Sequence, residues 1–388
     1  MLVLFSVASF VEVIAYGQLA AFTPLYLPAI GVAPADVPFW VGVINSGANL
    51  FGVAFLPFWG ALADRLGRKP LIIRSFAATG LGLAIAAAAP NVWLFTIARG
   101  ITALNLGNSG LMMTALAESA PASRLGFAYG VLNGSGPLGA FLGPLAGGPF
   151  VDRFGFAVVL GADAILLGAV VLVLAIGFRE AFTPPADRPA LLRSAFGGAA
   201  LLVRSPRLRL LFPALLVGFA GWMLVFTYTP IAVARIHEGT DPATAIGLVL
   251  GAGGLVTLVA SPLTGAIADR FGLARTYFSL GTVAALLWLV PWMARDYVGF
   301  LIAWALANGV GSGLFSLSFN VLARSVSDAA RARVMTFSYL PLNVGFILGP
   351  AIGAVVASTD PFAIFPTAVV LELAGLALVA LALRQRMA

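Results

Sequence analysis

The sequence predicts an all-α membrane protein with twelve transmembrane helices, arranged as two similar six-helix bundles. The chain of 388 residues is 61% hydrophobic and only 10% charged, whereas about a quarter of the residues in soluble domains are charged. Its apolar runs are long enough to cross a bilayer, which takes roughly 20 helical residues. A charged turn that follows the second run recurs in the other half of the chain, which indicates an internal duplication.

The predicted spans form two groups of six, separated by one polar stretch. The first six are Leu2–Leu27, Val37–Ala63, Leu71–Ala89, Val92–Ala117, Leu125–Phe150 and Phe156–Phe178. The second six are Leu210–Ala234, Ala243–Ala268, Thr276–Ala294, Val298–Ala323, Val334–Ala357 and Phe362–Leu383. We therefore predict a first bundle over residues 1–178, a linker over 179–209 and a second bundle over 210–388.

The basic residues occur in short clusters between the apolar runs, and their distribution predicts the orientation. Lys and Arg are retained on the cytoplasmic side of membrane proteins. Placing the linker and both termini in the cytoplasm puts most of the 22 basic residues there. The net charge of +7 alone would suggest nucleic-acid binding, but this clustering fits the charge rules of membrane proteins better. We expect a cell (inner) membrane location. The N-terminal run is too long, and too poor in basic residues before it, for a cleaved signal peptide.

Several chemistries are excluded by composition. The chain has no cysteine, and His237 is its one histidine, so we expect no disulfide, no thiolate chemistry and no metal site. A phosphate-binding loop of the Gly-x-x-x-x-Gly-Lys-Ser/Thr type is absent, and no nucleophile is accompanied by a base. We expect neither a cofactor nor an enzymatic activity. A receptor is disfavoured because it would more plausibly carry a sizeable soluble domain, and the longest loop is the short linker.

The strongest motif is the turn that begins at Gly60 and ends at Lys69. Its spacing is Gly-x-x-x-Asp-Arg-x-Gly, and the second copy keeps this spacing from Gly265 to Gly272 but lacks the basic pair that follows. Gly143–Pro144 likewise recurs as Gly349–Pro350. Such duplicated units place a substrate site near the bilayer midplane, where the two halves meet.

These residues resemble the major facilitator superfamily, and the resemblance covers the whole chain. The turn from Gly60 is similar to that family's cytoplasmic motif between helices two and three, and Arg99–Gly100 to its motif with a membrane-embedded arginine. The glycine and proline pattern of span five resembles one associated with the family's antiporters, and the run from Glu118 to Arg124 resembles drug exporters. The resemblance implies alternating access by two bundles and favours export, as in drug:proton antiporters.

The first copy of the turn predicts a conformational latch on the cytoplasmic side. The Asp64 carboxylate can accept hydrogen bonds from a neighbouring helix N-terminus or pair with Arg124. The alternative is a solvated turn that only enforces orientation, which is the role we expect for the nearby Lys69 and Arg74. The predicted latch residues are Gly60, Asp64, Arg65, Gly67, Arg68, Arg124 and, in the weaker second copy, Asp269.

Small residues recur every three or four positions in span five and predict close helix packing. They are Gly139, Gly143, Gly147 and Gly148, with Pro144 permitting a bend. Glycine lets helix backbones approach closely, and proline removes one backbone hydrogen bond. The pattern explains packing, and it favours antiport only through the resemblance.

Four ionisable residues lie inside predicted spans, where each costs roughly 2.5 to 3.5 kcal/mol unless it is paired or neutralised. They are Glu12, Arg99, Asp163 and Glu372. We predict that Glu12 carries a proton, because it shares a largely polar helix face with Ser9, Tyr16 and Thr23 in the span that lines the cavity of this family. Arg99 would pair with it or order water beside it. Asp163 and Glu372 fall in spans that are peripheral in this fold, which favours a structural role.

The candidate substrate cavity is polar in the first half and aromatic in the second. Its predicted residues are Tyr16, Asn45, Asn49, Asn133, Trp222, Phe226, Asn308, Phe315, Phe319 and Asn343. We predict a monomeric, proton-coupled transporter that exports lipophilic small molecules, with cations as candidates. Two alternatives stay open: a proton-coupled uptake symporter for sugars or organic acids, and a translocator of lipids or amphiphiles in which Glu372 contacts a lipid.

Overall fold

The computed structural model describes residues 1–119, 125–180, 182, 205–326, 334 and 337–385, and this part of the chain is helical without strands. Ten of its helical segments are long and apolar enough to cross a membrane. Many of the side chains that these helices expose are large and apolar, as Ile165 and Ile176 illustrate at 75% and 79% exposure. Apolar outward surfaces of this extent are what a lipid environment requires.

Most of the connections that the structure describes between consecutive helices are short. In the first half they are α1 (Leu2–Tyr26), α2 (Val37–Leu66), α3 (Arg68–Ala87), α4 (Val92–Ala103), α5 (Asn108–Ser119), α6 (Leu125–Phe154) and α7 (Phe156–Gly177). In the second half they are α8 (Pro206–Ile236), α9 (Pro242–Phe271), α10 (Leu273–Leu287), α11 (Leu289–Met293), α12 (Tyr297–Arg324), α13 (Leu340–Thr359) and α14 (Ile364–Leu383). Side chains cap several of them, as where the Asn91 side chain accepts from the Leu94 amide at 3.0 Å.

The chain divides into two compact units. The first unit comprises residues 1–33 and 47–197, and the second comprises residues 34–46 and 198–388. The start of α2 therefore packs with the second unit. Within that unit, the Tyr228 hydroxyl lies 3.0 Å from the Pro38 carbonyl and 2.8 Å from the Pro350 carbonyl. The Ser46 hydroxyl donates to the Ile347 carbonyl at 2.6 Å.

Each unit contains a close contact between two of its own helices, and in both units a glycine makes that contact possible. In the first unit, a Cβ on Gly143 of α6 would lie 2.5 Å from the Ile14 carbonyl oxygen of α1. In the second, a Cβ on Gly349 of α13 would lie 2.7 Å from the Ala220 carbonyl oxygen of α8. Any side chain at either position would collide with backbone, so each contact requires glycine.

The fourth predicted span is broken, which corrects the prediction of one continuous helix over Val92–Ala117. The structure has α4 and α5 with a tight turn between them at residues 104–107. Here the amides of Leu104, Asn105 and Leu106 bond to carbonyls three residues earlier instead of four. The turn ends at Gly107, whose φ of +94° is a conformation that glycine adopts without strain.

Candidate functional site

The first unit holds a buried polar cluster beside the broken span. Glu12 on α1 is 4% exposed, and its Oε2 accepts a long hydrogen bond of 3.4 Å from Asn108 Nδ2 at the start of α5. Its other oxygen, Oε1, has no hydrogen-bond partner among the described residues, and neither does Asn108 Oδ1. The cluster therefore contains buried acceptors that the described protein groups leave unsatisfied, which is costly unless a proton, water or ligand completes them.

Backbone carbonyl groups at the break accept hydrogen bonds from side chains of other helices. The Tyr16 hydroxyl of α1 donates to the Thr102 carbonyl, and Arg74 Nη2 of α3 donates to the Leu104 carbonyl at 3.0 Å. Irregular backbone at membrane depth is tolerated only where protein or water satisfies its polar groups. Tyr16 and Arg74 meet that requirement, which explains how this span can unwind inside the protein.

Arg74 lies inside the first unit, although the sequence suggested that it only contributes loop charge. Its guanidinium carbon lies 3.4 Å from the centre of the Trp59 ring, a cation–π contact. Its Nε and Nη1 are buried and have no hydrogen-bond partner among the described residues. Arg74 therefore places a positive charge beside the helix break, and the ring of Trp59 holds the guanidinium in this position.

Arg99 is buried, at 7% exposure, and it contacts Thr102, the residue whose carbonyl accepts from Tyr16. Its Nη1 donates to the Thr102 hydroxyl at 3.0 Å, and Thr102 donates to the Arg99 carbonyl at 2.8 Å. The hydrogen bond that Glu12 accepts comes from Asn108, and a pairing of Glu12 with Arg99 stays a prediction. Arg99 thus orders the end of α4, next to the carbonyl that Tyr16 binds.

The second unit carries an aromatic cluster where the sequence predicted apolar substrate contacts. Trp222 on α8 lies 6.2 Å from Phe226 and 5.5 Å from Phe315 on α12, measured between ring centres. Phe319 extends the cluster at 5.1 Å from Phe315. Phe219, which sequence reasoning did not select, joins it at 5.4 Å from Phe315.

The predicted cavity amides are dispersed. Asn45 Nδ2 donates to the Val41 carbonyl at 2.9 Å within the start of α2, and Asn49 is half-buried on the same helix. Asn308 is buried and donates to the Thr257 hydroxyl at 3.3 Å, so it joins α12 to α9. Asn343 is half-buried near the start of α13. Asn133 lies in α6, and its side chain falls outside the described residues.

The charged turn is organised by Glu180, a residue that the sequence did not single out. Its two carboxylate oxygens accept from the backbone amides of Arg68 and Lys69, each at 2.8 Å, at the start of α3. Arg68 Nη1 also lies 3.8 Å from Glu180 Oε1. Gly67 has a φ of +88°, and a Cβ there would lie 2.8 Å from Glu180 Oε2. The carboxylate thus binds the positive end of α3, the contact that was expected of Asp64.

For the other predicted latch residues the structure gives few contacts that would explain a latch. Asp64 is exposed and forms no hydrogen bond or ion pair within the described ranges. A Cβ on Gly60 would meet no described atom within 4 Å, so close approach does not explain that glycine. Arg65 is half-buried and Asp269 is exposed. Arg124, the proposed partner of Asp64, lies outside the described residues.

The packing glycines of α6 line its contact with α1. A Cβ on Gly139 would lie 2.9 Å from the Phe10 carbonyl oxygen, and one on Gly147 would lie 2.9 Å from the Gln18 side chain. Pro144 Cδ lies close to Gly17 across the same contact, and Gly148 is buried.

A helical membrane protein built from two similar units, with polar groups gathered in the interior of one and aromatic rings in the other, is a transporter by class. The Major Facilitator Superfamily model matches residues 5–241 and again residues 239–387. The chain belongs to that superfamily, and the two matches correspond to its two halves.

Curated relatives and solved structures extend the comparison. Multidrug resistance protein MdtG of Rahnella sp. (strain Y9602) is 27% identical over 351 residues, covering 90% of this chain and 84% of the relative. MdtG of Yersinia enterocolitica is 26% identical over 358 residues, with the same coverage of 90% and 84%. The crystal structure of nucleoside transporter NupG superposes with a TM-score of 0.79 at 14% identity, covering 99% of this chain and 98% of that one. Peptide transporter POT gives 0.78 at 15% identity, with 99% and 94% covered. At these identities the structures share the fold.

Proposed function

We propose that this transporter is a proton-coupled exporter of lipophilic small molecules, organic cations among them, and that it works by alternating access. The observation that carries the proposal is the buried carboxylate of Glu12, which keeps one oxygen unpartnered among the described residues. Removal from water favours the protonated form of a carboxylic acid, and renewed hydration favours its release. Glu12 would take up a proton in one state and release it in the other.

The choice of substrate rests on the aromatic cluster and on the relatives. The rings of Trp222, Phe226, Phe315 and Phe319 offer broad contact surfaces with little directional demand. The MdtG relatives are named as multidrug resistance proteins, and a surface of this kind suits substrates that share lipophilicity instead of one hydrogen-bonding pattern.

The two alternatives are less well supported. A sugar site needs a set of hydrogen-bonding groups, whereas the rings around Trp222 offer few. A lipid translocator would use Glu372 as a group facing the bilayer, but this residue is only 6% exposed. Both remain outcomes of the experiment below.

We further propose that the turn after α2 works as a cytoplasmic latch, with both termini on the cytoplasmic side of the inner membrane and a monomer as the working unit. Glu180 joins the proposed latch residues because its carboxylate ties the first residues of the linker to the start of α3. Movement of the linker would thereby be transmitted to the charged turn.

The test is transport by the purified full chain in liposomes with a pH gradient and with the membrane potential clamped. The panel comprises ethidium as a permanent cation, a neutral aromatic drug, a sugar and a labelled phospholipid. A permanent cation is chosen because weak bases accumulate in acidic compartments without any protein. An exporter that exchanges protons accumulates ethidium in an acidic lumen, in proportion to the gradient. Accumulation of the sugar in an alkaline lumen would identify a symporter instead, and phospholipid movement alone would identify a lipid translocator.

A further inference from the structure

A cavity lies within the second unit, among four of its helices. The space between its wall atoms totals about 460 Å³ when the part open to solvent is counted, and about 40 Å³ of it admits the centre of a water molecule. Helices α8, α10, α12 and α14 all contribute to the wall. Four aromatic side chains line it, namely Phe219, Trp222, Tyr277 and Phe315. Pockets that hold small molecules are typically walled in this way, with a few polar groups that fix the orientation of the ligand.

The charged group on the wall of this cavity is the carboxylate of Glu372. The residue is 6% exposed, and its Oε1 accepts a hydrogen bond of 2.9 Å from Trp288 Nε1. No Lys, Arg or His is among the described residues that line the cavity. The described wall therefore offers a carboxyl group with no protein cation beside it. A charge on this group is costly while it is unpaired, and a bound cation would remove that cost.

Glycines bring the carboxylate into this position and leave room in front of it. A Cβ on Gly375 of α14 would lie 2.8 Å from the Gly218 amide nitrogen of α8, and one on Gly221 would lie 3.1 Å from Glu372 Cγ. The two helices therefore approach closely at this level. Gly218, Gly311 and Gly375 also line the cavity, so three of its wall positions present no side chain.

Trp222 has a polar atom that the described residues leave unsatisfied. Its Nε1 is buried without a hydrogen-bond partner among them, although buried indole N–H groups usually find one. The faces of Trp222 and Phe315 are tilted by 32° to each other at 5.5 Å. The wall thus combines aromatic faces, which attract cations, with a carboxylate and a free donor.

We propose that this cavity binds an amine or quaternary ammonium group carried on an aromatic or apolar body. Glu372 supplies the counter-charge, and Phe219, Trp222 and Phe315 supply the aromatic faces. A carboxylate with aromatic rings recognises such a cation by charge and by cation–π attraction together. The proposal rests on the proposed function for the use that transport makes of the bound cation, but the binding itself is tested without transport.

The experiment measures binding of benzyltrimethylammonium and of neopentylbenzene to the purified full chain by equilibrium dialysis in detergent. The two probes have the same shape, and only the first carries a charge, because carbon replaces nitrogen in the second. Partition into micelles differs between the two probes, so it is measured for each probe with protein-free micelles and subtracted before the probes are compared. We expect the wild-type protein to bind the cation at least about tenfold more tightly than its neutral counterpart.

Glu372→Gln tests the counter-charge, because glutamine keeps the shape and an oxygen that can accept from Trp288. We expect it to abolish the preference for the cation while binding of neopentylbenzene stays the same. Asp163→Asn is the matched control, since it removes a carboxylate that is 5% exposed in the first unit, and it should retain the preference. Phe315→Leu keeps apolar volume and the carboxylate but removes an aromatic face. It should weaken cation binding severalfold, and it decides the question if Glu372→Gln does not fold.

Equal binding of the two probes by the wild-type protein would overturn the proposal, and so would unchanged cation binding in both variants of the cavity. Loss of the preference in Glu12→Gln, with retention in Glu372→Gln, would place the cation in the first unit and refute the inference. No gradient is present in these measurements. Failure of proton-driven transport therefore leaves a positive binding result standing, and failure of binding leaves the role of Glu12 open to its own test.

Discussion

Within the part of the chain that the structure describes, each unit buries one glutamate, and the two are surrounded by different chemistry. Glu12 in the first unit accepts from an amide and lies beside a helix break. Glu372 in the second accepts from an indole and faces aromatic rings. Helix packing in the two units remains alike, as the contacts at Gly143 and Gly349 show. A duplicated fold can therefore keep its packing while its two interiors take on different tasks.

The largest expected difference concerns the two glutamates. Replacing Glu12 with Gln should reduce pH-driven transport of every substrate to the level of protein-free liposomes, because the proton carrier is lost. Replacing Glu372 with Gln should reduce transport of permanent cations and leave that of neutral aromatic substrates. Initial rates in proteoliposomes, measured for ethidium and a neutral drug, check both. The two roles would not be separate if both variants lost both substrates equally.

Alanine at the packing glycine should lower the free energy of unfolding by similar amounts in the two units. Replacing Gly143 or Gly349 with Ala should each lower the free energy of unfolding by about 1–3 kcal/mol, because Cβ would overlap a backbone carbonyl. Gly134→Ala in the same helix as Gly143 is the control. It meets open space among the described residues and should stabilise by about 0.5–1 kcal/mol, as alanine favours helix. Titration with SDS, followed by circular dichroism, measures all three. A large cost in one unit alone would contradict the symmetry of the packing.

Alanine at the last glycine of the charged turn should cost more free energy of unfolding in the first copy than in the second. Gly67 and Gly272 both have positive φ, at +88° and +90°, so alanine should strain each by about 1–2 kcal/mol. At Gly67 the new Cβ also displaces Glu180 from the start of α3, which adds about 1 kcal/mol. The same unfolding assay measures the difference, and a Glu180→Ala background, which removes both the acceptors and the overlap with the new Cβ, should abolish most of it. Equal costs in the unmodified background would show that Glu180 contributes nothing to the turn.

The smallest expected effect is that of Glu180→Gln alone. The amide retains one acceptor at the start of α3 but loses the charge, which should cost about 0.3–1 kcal/mol of the free energy of unfolding. Glu238→Gln in the second unit removes an exposed carboxylate and should change nothing measurable. The comparison is made at low and high salt, since the charge effect should shrink as salt rises. An effect that is insensitive to salt would point to the hydrogen bonds and not to the charge.

Much of the fold was predictable from the sequence because a bilayer imposes simple requirements. Apolar runs of spanning length, their charged connections and the duplicated turn together predict the family fold, and the family match confirms it. The burial of Glu12, Arg99, Asp163 and Glu372 followed from the same runs. These inferences need only local sequence, because the composition of a segment decides whether it lies in the bilayer or in water.

The surroundings of these residues were not predictable, because they depend on contacts between distant segments. Arg74 follows a basic cluster and resembles loop charge until it is seen to stack on Trp59. Glu180 meets the start of α3 across more than one hundred residues of chain. The group that donates to Glu372 is the indole of Trp288, which lies between α10 and α11. The break near Gly107 had no distinct signal, since this chain contains 44 glycines and most lie in regular helices.

The broken span also records how the two halves have diverged since their duplication. In the first half, Gly107 ends the break next to Leu56 and Trp59, whereas in the second half Gly313 lies against Thr264 inside the unbroken α12. Trp59 and Thr264 each precede the first glycine of their copy of the charged turn. The same ancestral position thus holds a large ring beside a break in one copy and a small hydroxyl beside a continuous helix in the other. One chain therefore preserves two descendants of a single unit, and each serves as a reference for interpreting the other.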